Sequence, residues 1–138
     1  MPAALDHLLI PSKDRRAAAR LISEILGVPW SEQSRFGPFS QVFLSGGCTL
    51  DFDQWSEPVP KGHYCFRVND DEFGQILARL RMRKLPYRST SHGPIDYKTN
   101  SVLGGQLLYW DEPDGHVWEV LTVSYERQSE DNAAAGGD

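Results

Sequence analysis

The sequence predicts an α+β protein made of two similar modules, each a strand, a helix and about three further strands. Three observations predict it. A histidine-headed strand pattern occurs twice, as His7-Leu8-Leu9-Ile10 and as His63-Tyr64-Cys65-Phe66. Each is followed by a stretch with apolar residues at helical spacing, and then by a proline and an aromatic residue, Pro29-Trp30 and Pro86-Tyr87. From histidine to proline is 22 positions in the first copy and 23 in the second.

Each element follows from local chemistry. Residues 5–10 read as a strand that Pro11 ends, with Ser12 as the expected helix cap. Ala18, Leu21, Ile22, Ile25 and Leu26 then share one helix face, and Gly27 suits the position just past its end. Residues 36–53 form short strand-like runs broken by Gly37-Pro38 and Gly46-Gly47, and Leu50-Asp51-Phe52-Asp53 alternates with period two. Pro58, Pro60 and Lys61 mark a linker. Residues 63–68 are again a strand, and a helix from about Asp70 aligns Phe73, Ile76, Leu77 and Leu80. Residues 88–104 are polar and turn-rich and read as a mobile loop. Two last strands, residues 106–110 and 117–123, flank the turn Glu112-Pro113-Asp114-Gly115. The expected organisation is a single domain over residues 1–125, with modules at about 1–57 and 62–125, and a disordered tail over 126–138.

Composition bounds the function. The chain has 138 residues, 40% of them hydrophobic, and a net charge of −5. That is ordinary for a globular protein and offers no basic footprint for nucleic acid. The basic run from Arg79 to Lys84 falls at a helix end, where cations suit the dipole. No apolar run is long enough to cross a membrane, and no export signal is read at the N-terminus. The expectation is therefore a cytoplasmic protein whose two cysteines, Cys48 and Cys65, are reduced thiols.

One helix per module covers only one sheet face, which leaves the other to be buried against the second module, a partner chain or a ligand. Strand alternation puts His7, His63 and Glu119 on that open face, along with Cys65 and Arg67. Cys65 is either a lining residue or a small buried thiol. Two neutral imidazoles and a carboxylate suit Fe(II), Mn(II), Zn(II) or Ni(II) and leave positions for a bidentate substrate. Asp51 has the same parity as Glu119. Arg67 offers a cation to an anionic substrate, and Tyr109 and Gln106 are candidate wall residues. His116 reads as an exposed turn residue.

Three motifs carry a resemblance to a known family: Asp6-His7-Leu8, His63-Tyr64-Cys65-Phe66, and the ending from Trp110 through Glu112-Pro113-Asp114-Gly115 to Glu119-Val120. The chain resembles the vicinal oxygen chelate superfamily, which includes glyoxalases, fosfomycin- and bleomycin-resistance proteins and extradiol dioxygenases. The resemblance implies paired βαβββ modules forming a curved mixed sheet around a cleft. It implies one divalent ion held by His7, His63 and Glu119, with Glu119 or Asp51 as general base, and a small oxygen-chelating substrate. Isomerisation, addition to an epoxide and oxygen-dependent ring cleavage are the expected reactions, so a lyase, a transferase or a dioxygenase. It also implies a homodimer. The alternative it carries is a metal-free protein that sequesters an antibiotic or other ligand in an aromatic-lined cleft.

Overall fold

A computed structural model describes residues 2–125. The expected disordered tail, 126–138, lies outside the described residues. The chain divides into two compact units. One holds the chain up to Gly62 together with Glu112–Gly115; the other holds His63–Asp111 together with the chain from His116.

The first unit contains β1 (His7–Ser12), α1 (Arg15–Leu26), β2 (Trp30–Ser31), β3 (Phe39–Phe43) and β4 (Thr49–Gln54). Its sheet runs β1-β4-β3-β2, with β1 parallel to β4 and the other pairs antiparallel. Helix α1 lies against all four strands. It buries Ala18, Ala19, Ile22 and Ile25 over Ile10, Val42, Leu50 and Phe52. Gly27 ends it at φ 74°, a conformation that costs a residue with a Cβ about 1 kcal/mol or more.

The start of this unit departs from the expected boundaries. Pro11 does not end the first strand. It sits within β1, which has a single neighbour in the sheet, so its missing N–H costs no ladder bond on the outer side. The helix cap is Asp14, whose side chain accepts from the Ala17 N–H. Ser12 instead donates through Oγ to Asp114 at 2.8 Å, and the Lys13 N–H donates to the same carboxylate at 2.9 Å. The turn at Glu112–Gly115 closes as expected, the Gly115 N–H donating to the Glu112 carbonyl with φ 85° at the glycine.

The second unit contains β5 (His63–Arg67), α2 (Asp70–Met82), β6 (Leu107–Asp111) and β7 (Val117–Leu121). Its sheet runs β5-β7-β6, with β5 parallel and β6 antiparallel to β7. Asn69 caps α2, and Glu72 answers it in a full capping box. Phe73, Ile76 and Leu80 are buried as the spacing predicts, and so are Leu108, Trp110, Trp118 and Val120 on one sheet face. Among the described residues, two strands follow α2. In the place of a third are two isolated bridges, Arg88 to Tyr109 and Asn100 to Leu107. The segment 88–104, expected to be a mobile loop, carries many internal hydrogen bonds. Besides these bridges, Ser89 donates through its N–H and hydroxyl to Asp96, and the Tyr97 N–H donates to the Tyr87 carbonyl. His116 is fully buried, with Tyr64 and Trp118 rings edge-on to it at 5.5 and 6.2 Å, and is not the exposed residue its turn position suggested.

Candidate functional site

The second unit gathers its polar side chains around Glu119. In register, Glu119 on β7 stands between Cys65 on β5 and Tyr109 on β6. His63, two residues before Cys65, shares their face. Its Nε2 lies 2.9 Å from Glu119 Oε1, and its ring is edge-on to Tyr109 at 6.0 Å. These neighbours leave Glu119 only 8% exposed although it is on the open side of the sheet. Although Cys65 is exposed as a residue, poor solvation at its sulfur, then the nearby Glu119 charge, then a hydrogen bond to it push the thiol up to about 12. The same three causes push Tyr109 up to about 12. Both groups therefore stay protonated at neutral pH and act as donors to Glu119.

A cavity of about 580 Å³ opens on this cluster. His63, Cys65, Tyr109 and Glu119 form one end, Ser89, Thr90, Ser91 and Asn100 a polar wall, and Val102, Leu103, Leu107 and Tyr125 an apolar one. Arg67 and Gln106 are not among its lining residues. Arg67 pairs with Leu121 at the far end of β5, and Gln106 is exposed, its N–H donating to Thr122 Oγ1.

The first unit repeats the arrangement with other residues. Asp51 on β4 stands in register between Leu9 on β1 and Gln41 on β3, and Gln41 Nε2 donates to Asp51 Oδ1 at 3.1 Å. His7 shares this face, half exposed, with Nδ1 2.8 Å from Asp6 Oδ2. That bond with Asp6 raises the His7 pKa, and the Asp51 charge adds to it. His7 and Asp51 line a cavity of about 770 Å³ with Gln41, Arg35, Phe36 and Phe39.

These donors fit a divalent ion. Two ligand atoms each about 2.1 Å from one ion, at roughly right angles, are about 3 Å apart, as His63 Nε2 and Glu119 Oε1 are. A carboxylate on one ring nitrogen of His7 leaves the other nitrogen to bind a metal, a common way of orienting such a ligand. Within the turn at 112–116, ligand atoms of Glu112, Asp114 and His116 also come within 4.8 Å of one another, a possible metal-binding group. There, both Asp114 oxygens already serve Ser12 and Lys13.

Sequence reasoning passed over Asp6, Gln41 and the hydroxyl wall. Gln41 could have been found by counting alternation back from Asp51 across one hairpin. The run Ser89-Thr90-Ser91, just after the repeated Pro86-Tyr87, was the available signal for the wall.

No family model and no curated protein matches the sequence. Solved structures do. Oxidase ChaP-H1 is 37% identical, over 91% of this chain and 99% of its own, with a TM-score of 0.84. Oxidase ChaP-H2 is 32% identical, over 91% and 98%, with a TM-score of 0.85. The fosfomycin resistance protein FosX from Listeria monocytogenes shares the fold at 13% identity, over 93% and 99%, with a TM-score of 0.67. With the repeated sheet register and relatives of this similarity, the chain belongs to the vicinal oxygen chelate superfamily.

Proposed function

We propose that the chain is a metal-dependent enzyme of this superfamily, an oxidase in its reaction class, acting on a small substrate that offers two neighbouring oxygens. The observation that carries this is the His63–Glu119 pair, spaced as two ligands of one ion at the end of a cavity. His7 is the third ligand by its motif position. The naming of two relatives as oxidases favours oxidation over isomerisation or epoxide addition.

When bound, a divalent ion supplies Lewis acidity and holds the paired substrate oxygens. The chain supplies the rest. Tyr109 and Cys65 keep the Glu119 carboxylate oriented by donating to it. Glu119 in this cavity, and Asp51 in the cavity of the first unit, are the carboxylates proposed as proton acceptors. The apolar wall excludes water from one side of the cavity, and the hydroxyl wall orients what enters. The protein acts in the cytoplasm as a homodimer. No helix of the described residues is long and apolar enough to cross a membrane.

Elemental analysis of protein purified without chelators tests the reading. The expected result is a stoichiometric divalent ion in the wild type that is lost in His63→Ala. No ion, with uptake unchanged by the mutation, would sink it. Strong thermal stabilisation by hydrophobic antibiotics without metal would point to sequestration instead.

A further inference from the structure

Behind the hydroxyl wall lies a buried cation. Arg88 is 5% exposed and is not among the lining residues. Its backbone exchanges both hydrogen bonds with Tyr109, each 2.9 Å, which ties the strip to the chemical end of the cavity. Its guanidinium faces two ways. Toward β6 it makes a forked pair with Asp111, at 2.5 and 3.2 Å. Toward the wall its Nε donates to the carbonyls of Thr90 and Ser91 at 3.0 and 3.3 Å, and Nη2 donates to Ser91 at 2.9 Å. Asn100 Nδ2 adds a bond to the Ser89 carbonyl. The backbone of Thr90 and Ser91 is thus held from behind by Arg88, and that of Ser89 by Asn100 within the wall.

The sheet does not require an arginine here. In the first unit the same register position, opposite Gln41, is Ser31, whose hydroxyl reaches only the Gln33 carbonyl. Burying a guanidinium is costly unless it is fully paired. What it holds directly is the Thr90–Ser91 backbone, in a wall that bears the Thr90 and Ser91 hydroxyls and the Asn100 amide, while the Ser89 hydroxyl donates to Asp96. Neither lysine nor arginine is among the described lining residues, and Glu119 is the only carboxylate.

We propose that Arg88 is a positioning residue: it fixes this wall so that the enzyme selects substrates whose body, beyond the two chelated oxygens, is neutral and hydrogen-bonding. This rests on the metal-dependent reading above.

The test uses the full chain loaded with Co(II), titrated with three catechols and followed by the metal's absorption. Catechol itself reaches only the chelating end. Esculetin extends the same diol with a neutral lactone, and caffeate extends it with a carboxylate. In the wild type esculetin should bind tighter than catechol, and caffeate should not. In Arg88→Lys, esculetin should weaken roughly tenfold, since a lysine cannot fork between Asp111 and the wall, while catechol stays within about twofold. Asp111→Asn should fall between the two, and it carries the same comparison if Arg88→Lys does not fold. Equal weakening of catechol and esculetin, no weakening of either, or a caffeate gain matching that of esculetin overturns the proposal. A wild type that takes up no Co(II) and no catechol overturns the metal reading, and this one with it.

Discussion

Strands β4 and β7 hold the same place in their sheets, each with a parallel neighbour on one side and an antiparallel one on the other. Their central acids differ. Asp51 meets an amide, Gln41, and an apolar Leu9; Glu119 meets an imidazole, a thiol and a phenol. Their apolar sides differ too: β4 presents Leu50 then Phe52, whereas β7 presents Trp118 then Val120, so the bulk has moved two residues along the strand. A repeated register therefore fixes where a side chain points and leaves free what it does. The second repeat holds the longer carboxylate with donors around it. The first holds a shorter one, clamped by a neighbour.

The largest expected effects lie in the cores of the two sheets. Trp118→Ala and Phe52→Ala should each cost about 3–5 kcal/mol in denaturant unfolding, since both are fully buried. Giving β7 the pattern of β4, by Trp118→Leu with Val120→Phe, keeps most of the volume and should cost about 1–3 kcal/mol. A loss as large as that of Trp118→Ala would mean the two cores are not interchangeable in kind. Next comes the contrast of acids. Glu119→Gln should weaken Co(II) uptake by about 100-fold or more, and Asp51→Asn by less than about tenfold, measured by calorimetric titration. Equal losses would erase the distinction between the two sheets. The smallest effects are at the helix starts. Asn69→Ala breaks a two-way capping box and Asp14→Ala a single bond, so they should cost about 1–2 and about 1 kcal/mol, read from thermal unfolding.

Much of this was legible because period-two alternation is a strong code. The open-face placement of His63, Cys65 and Glu119 and the burial of Trp118 and Val120 follow from parity alone. So do the buried helix residues Ile22, Ile25, Phe73 and Leu80 from 3.6 spacing, and the helix stop at Gly27. What was not legible depended on partners that composition and local position do not name. Ser12 reads as a helix cap until Asp114, 102 positions away, takes its hydroxyl and Asp14 takes the role. His116 reads as exposed because it follows a turn, yet Tyr64 and Trp118 enclose it. Residues 88–104 read as mobile because their composition is polar. The polarity is satisfied internally, by Arg88, Asp96 and Asn100.

The turn that donates Asp114 has a consequence for inheritance. Two tandem copies of one module would be expected to survive being cut apart between them. Here the first copy borrows Glu112–Gly115 from the far end of the second to close its own strand-to-helix corner. A gene split after Gly62 would yield a leading fragment whose Ser12 and Lys13 lack their acceptor, and a trailing fragment carrying a turn with nothing to close. The duplication is still visible in the pattern, but the first half now closes its corner on a turn encoded near the far end of the second.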